Sequence, residues 1–134
     1  MTARRPLLVP LAVLVLVAAL GACKSPQRVS VGEGDIPESV PDDFPIPAGA
    51  TVGLSIVDRE AHQTEFVLTV PQGVEEAAQY FLVNLVSSGY VVERSTGSDT
   101  RWDIRFSRDT LRGTFHIEEG GSAVSGVVVS INRS

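Results

Sequence analysis

A chain of 134 residues and 14.3 kDa has room for one domain rather than two. Apolar residues at 43% and charged residues at 20% exclude a wholly disordered chain. A formal charge of -5 and a pI of about 4.9 argue against nucleic acid as a partner, and a single cysteine excludes an internal disulfide framework and any multi-cysteine metal site.

Residues 1–22 differ from the rest. Arg4 and Arg5 form a short basic stretch, and Leu7 to Leu20 is apolar throughout, with Pro10 its one helix breaker. Gly21, Ala22 and Cys23 follow. Basic, greasy, then small is the layout of a secretory signal. The apolar run is shorter than the ~20 residues that span a bilayer, so a transmembrane anchor is the weaker reading. Arg4-Arg5 lacks the rest of a twin-arginine signal and reads as a plain basic region.

The tetrad Leu20-Gly21-Ala22-Cys23 resembles the bacterial lipobox: an aliphatic residue, two small residues, then Cys. The resemblance implies that Cys23 carries a diacylglyceryl group, with acyl chains such as palmitate, and becomes the mature N-terminus. The competing reading is an ordinary secretory signal cleaved after Ala22, which leaves Cys23 as an oxidisable thiol. Lipidation is favoured because the only cysteine stands at the position it requires. The expectation is an exported protein, held at the cell membrane by lipid, with its domain on the extracytoplasmic side.

Removing residues 1–22 takes away two arginines and no acid, leaving 9 basic against 16 acidic side chains, a balance of -7. Anionic headgroups repel such a charge, so lipid must supply the attachment. Residues 24–43, KSPQRVSVGEGDIPESVPDD, hold three prolines, two glycines and five acids without apolar periodicity. That composition predicts a flexible acidic tether over 23–43, about 25 Å in average span, and a folded domain over 44–134.

Phe44-Pro45-Ile46-Pro47 opens the domain as extended, apolar-anchored chain. Val52, Leu54 and Ile56 alternate with Thr51, Gly53 and Ser55, which predicts a half-buried strand. Phe66, Leu68 and Val70 give a second, joined to the first by a polar loop from Asp58 to Gln63. The period then changes: Val74, Ala77, Ala78, Phe81, Leu82, Leu85 and Val86 fit an amphipathic helix from about 73 to 88, with Glu75 and Glu76 in its first turn and Gly89 as its cap. Tyr80 and Val83 lie off the main stripe and suit packing under the tether or a contact patch.

Strands follow at Tyr90–Arg94, at Trp102, Ile104 and Phe106, at Leu111, Gly113, Phe115 and Ile117, and at Val127, Val129 and Ile131. Gly97-Ser98-Asp99, Arg108-Asp109-Thr110 and Gly120-Gly121-Ser122 supply the turns. The expected fold class is α+β: a mainly antiparallel sheet of about six strands in the order ββαββββ, with the helix packed on one face.

The stretch Phe44 to Ala50, the helix end Phe81-x₃-Leu85-x₃-Gly89-Tyr90 and the following strands resemble a group of small bacterial lipoproteins common in actinobacteria. The likeness covers the domain, about two thirds of the chain. It implies a fold and a location, and no catalytic residue.

No glycine-rich phosphate loop and no Gly-x-Ser-x-Gly elbow occur. His62, among Asp58, Glu60 and Glu65, together with His116, admits a small metal-dependent protein or envelope enzyme as an alternative. The plain reading of His62 is a solvated loop. His116, on the polar side of its strand, falls beside Arg101, Asp103, Arg105, Arg112 and Glu118. Arg101, Arg105, Arg112 and His116 are therefore the candidate ligand-binding residues, against the plain reading of an ordinary wet sheet face with cross-strand charge pairs. The reading favoured is a non-enzymatic, lipid-anchored binding or accessory module, without cofactor, whose sheet face meets an envelope protein or a small ligand.

Overall fold

The computed structural model describes residues 28–134; residues 1–22, expected as a signal, and Cys23 lie outside the described residues. Seven strands form one antiparallel sheet: β1 (Val29–Glu33), β2 (Thr51–Asp58), β3 (Gln63–Val70), β4 (Val91–Gly97), β5 (Arg101–Arg108), β6 (Leu111–Gly121) and β7 (Val124–Arg133). Their spatial order is β1-β2-β3-β7-β6-β5-β4. The single helix, α1 (Val74–Ser87), joins β3 to β4 and packs over β4, β5, β6 and β7.

Alternation explains most of this. Phe66, Leu68 and Val70 of β3, Ile104 and Phe106 of β5, Phe115 and Ile117 of β6, and Val127 and Val129 of β7 all point to one face and are buried. The helix meets them with Val74, Ala77, Ala78, Phe81 and Leu85. Its end is a Schellman motif: the Tyr90 N–H donates to the Leu85 carbonyl at 2.9 Å and the Gly89 N–H to that of Val86 at 3.1 Å. Gly89 takes φ +83°, where a Cβ would be strained. Gly113 is required for another reason. The Phe106 ring lies where its Cβ would stand, and the Ser130 carbonyl oxygen would be only 2.8 Å away.

The folded part begins earlier than the composition of residues 24–43 suggests, and the tether expected over 23–43 is corrected from residue 28 onward, residues 23–27 lying outside the described residues. β1 pairs with β2 from Val29↔Asp58 to Glu33↔Leu54, which adds a seventh strand to the six expected. After β1 the chain runs as a strap along the core face. Val40 and Phe44 are buried there, and Ser39 shares a 2.6 Å hydroxyl hydrogen bond with Thr64. Phe44 packs against Phe66, Tyr90, Phe106 and Phe115. Arg108 locks the strap from outside: its guanidinium forks onto Asp43 at 2.6 and 3.0 Å, donates to the Ser88 carbonyl and lies 4.1 Å above the Tyr90 ring. Tyr80, off the helix stripe, donates its hydroxyl to the Ile46 carbonyl at 3.0 Å. Proline and acid content signals an unfolded segment only when no neighbouring strand offers an edge and no aromatic reaches the core.

Tyr90 has a buried hydroxyl with no hydrogen-bond partner among the described residues, and that burial raises its pKa. Removing an unsatisfied group costs nothing when the ring stays. Tyr90→Phe is therefore expected to be neutral or to stabilise by up to about 1 kcal/mol in urea unfolding. A clear loss of stability would show that the hydroxyl has a partner.

Candidate functional site

The helix and strap cover one face of the sheet. The other is open, and two β-bulges decide what it displays. In β2, Val52 pairs with Leu68 and Ser55 with Phe66, so two residues stand opposite Val67. The parity of the strand reverses there. Val52, Ser55 and Val57 face the core, while Leu54 and Ile56, expected inside, are exposed at 58% and 47%. In β4, Val92 pairs with Phe106 and Arg94 with Arg105, so Glu93 is the extra residue. Without that bulge Arg94 would share the core side with Val92. With it, Arg94 stands on the open face.

The open face has two halves. Over β1, β2 and β3 it is the more apolar half, with Val29, Val31, Leu54, Ile56 and Val67 exposed beside Glu33 and Glu65. Over β6, β5 and β4 it is polar and charged. Pairing brings Arg101 opposite Glu118, Asp103 opposite His116, Arg105 opposite Thr114, and Arg112 opposite Ser107. All four candidate residues therefore share this half, in two different electrical states.

Arg101 and His116 are neutralised. His116 Nδ1 lies 2.6 Å from Asp103 Oδ1, and its Nε2 lies 2.8 Å from Glu118 Oε1. Arg101 Nη2 is 3.4 Å from the same Glu118 oxygen. With both ring nitrogens facing carboxylates, the protonated imidazole is favoured. Asp103 and then Glu118 hold its pKa above the ordinary 6.5, and His116 lowers that of Glu118. The stabilisation is present below the ordinary histidine value and is lost as pH rises through the raised one. Urea midpoints of the wild type are expected to fall as pH climbs upward from about 6.5, and His116→Asn is expected to flatten that slope. An unchanged slope would contradict the ion pairs. The effect is small because the cluster is partly solvated.

Arg105 and Arg112 are not neutralised. Among the described residues no carboxylate comes within ion-pair distance of either, nor of Arg94. Arg94 and Arg105 are direct cross-strand partners on one face. Directly opposed Cβ atoms stand about 5 Å apart, and like charges there destabilise a ladder. Two adjoining depressions surround them. One, of about 430 Å³, is lined by Arg94, Thr96, Asp103, Arg105, Thr114 and His116. The other, of about 320 Å³, is lined by Glu93, Arg105, Arg112, Thr114, Ser130 and Asn132. Arg105 and Thr114 belong to both. Three guanidiniums with free donor forks, flanked by hydroxyls and an amide, match the geometry of carboxylate or phosphate oxygens.

Sequence reasoning missed Arg94. It lies on the strand predicted at 90–94, but only the bulge turns it outward. His62 and His116 are not brought together. His62 ends the β2–β3 turn with φ +52°, whereas His116 pairs with Val128, which in turn pairs with Val67. Five residues of strand and two strand spacings separate them, about 20 Å. No group of three or more potential ligands that could hold a metal occurs among the described residues.

Searches of known protein families, curated proteins and solved structures give no match to this chain.

Proposed function

We propose that this chain is a lipid-anchored, extracytoplasmic binding module, without catalytic function, whose open sheet face takes an anionic partner through Arg94, Arg105 and Arg112. The observation that carries the reading is the Arg94–Arg105 pair, opposed in the ladder with no carboxylate partner among the described residues. An acidic chain has counterions in plenty, with 16 Asp and Glu in all. Leaving these guanidiniums without one keeps their donors available for an incoming carboxylate or phosphate. A bridging anion would turn the cross-strand repulsion into attraction. The anchor at Cys23 would hold this face at the membrane surface, where phosphate- and carboxylate-bearing envelope constituents are concentrated.

In-cell photocrosslinking from position 114, between Arg105 and Arg112, tests the reading. The adduct formed by the otherwise unaltered protein is expected to be lost in the Arg94→Ser, Arg105→Ser double variant. It should persist in Arg133→Ser, whose side chain turns to the strap and donates to the Ser39 carbonyl at 3.2 Å. Equal adduct yield in all three proteins would contradict the arginine site.

A further inference from the structure

We infer that the apolar half of the open face, Val29, Val31, Leu54, Ile56 and Val67, is a membrane-docking surface that rests on the lipid headgroup–acyl boundary. The inference rests on the acylated Cys23 proposed above and adds an orientation to it. Exposure along this patch is high for aliphatic side chains: 70% at Val31, 58% at Leu54, 47% at Ile56, 45% at Val29 and 37% at Val67. The pair Val31↔Ile56 joins β1 to β2, Val29 flanks Val31 opposite Asp58, and the bulge adds Leu54 beside Val67. A sheet that pointed Leu54 and Ile56 inward needed only to omit the bulge.

The length of the connection identifies what covers the patch. From Cys23 to Val29 there are six peptide steps. Even fully extended, they reach about 20 Å. A domain of this size is about 30 Å across. An acylated Cys23 sits at the headgroup layer, so β1 is held within about 20 Å of the bilayer. The strand nearest the attachment point is β1, whose outward side chains begin the patch. Glu33 stands opposite Leu54, and Glu65 opposite Ile56. These acids alternate with the aliphatic side chains and belong at the hydrated headgroup layer, so zwitterionic lipid is the preferred surface.

The same geometry leaves the arginine half free. Adjacent antiparallel strands rotate by about 20–25°, so over the four intervals from β2 to β5 the open face turns through roughly 80–100°. With the β1–β2 side lying on the bilayer, Arg94, Arg105 and Arg112 look sideways along the surface.

The test uses the full acylated chain in phosphatidylcholine vesicles. Acylation occupies the thiol of Cys23, the only native cysteine, so an introduced cysteine carries a nitroxide label alone. Ile56→Cys and Leu54→Cys sample the patch, and Gln79→Cys samples the outer surface of α1. Intact mass first establishes that Cys23 is acylated. Labels at 54 and 56 are expected to collide with an aqueous nickel chelate at least about fivefold less often than the label at 79, and with oxygen more often, as at a membrane interface. Nickel accessibility equal to that at position 79 overturns the docking surface while leaving the anchor intact. So does a fall in both nickel and oxygen collisions, which signals contact with protein, a second copy included. An unacylated chain overturns the anchor and the docking surface together.

Discussion

Phe115→Ala is expected to lower the free energy of unfolding by about 3–5 kcal/mol. Phe115 is fully buried at the centre of β6, where the three parts of the fold converge. Its ring stacks on Phe81 of the helix at 4.2 Å and 24°. It meets Phe44 of the strap at 5.6 Å and Phe106 of β5 at 5.0 Å. Truncation removes aromatic contacts to all three elements and opens a cavity that a rigid sheet cannot close by collapsing. Against a typical total of 5–15 kcal/mol, the loss brings the domain close to its folding threshold. Urea unfolding followed through Trp102, the only tryptophan, measures it. Val83→Ala, on an exposed helix position, is the control and should shift stability by less than about 0.5 kcal/mol. Equal effects at the two sites would mean that helix, strap and sheet do not share one core.

Cys23→Ser is expected to have the largest effect on location and none on the fold. An acyl chain contributes about 0.8 kcal/mol per buried CH₂, so two chains outweigh any surface contact and make attachment effectively permanent. The serine variant should leave the membrane fraction and appear in the extracytoplasmic soluble fraction, with its unfolding curve unchanged. The exposed patch on β1 and β2 would then give only weak, reversible binding to vesicles. Retention through a carbonate wash of a variant whose mass shows that residues 1–22 are gone would contradict the lipid anchor.

Much of the architecture was legible because periodicity is a direct record of burial. The helix stripe from Val74 to Leu85 and the alternation in β3, β5, β6 and β7 each report one buried face, and the structure places those residues against it, whereas Val86, expected on the stripe, is exposed. Gly89 was legible for a similar reason, since a chain reversal after a helix needs a residue tolerant of positive φ. β1 was not. Val29-Ser30-Val31-Gly32-Glu33 is a short edge strand with its valines turned to solvent, so it carries no burial signal. Its neighbours, proline-rich and acidic, pointed the other way until Phe44 and Val40 found the core.

The candidate site was half legible. Alternation alone put Arg101, Arg105, Arg112 and His116 on one face, and the register agrees. Which of them stay uncompensated depends on which carboxylates stand opposite, and register is a tertiary property. Both bulges were harder still, because one inserted residue reverses everything beyond it. Gly53 was a signal in β2, as a glycine inside a strand often marks a bulge. Val91-Val92-Glu93-Arg94 carries no comparable mark, so Arg94 stayed hidden.

The most direct measurement of the central claim is a titration of the acylated chain, in non-ionic detergent, with inorganic pyrophosphate at low salt, followed through the arginine side-chain NMR resonances. The signals of Arg94, Arg105 and Arg112 are expected to shift together and saturably, with the Thr114 amide, while those of Arg108, already forked onto Asp43, stay in place. Added salt should weaken the binding. Uniform small shifts across every arginine, or none at Arg94 and Arg105, would contradict an anion site on this face.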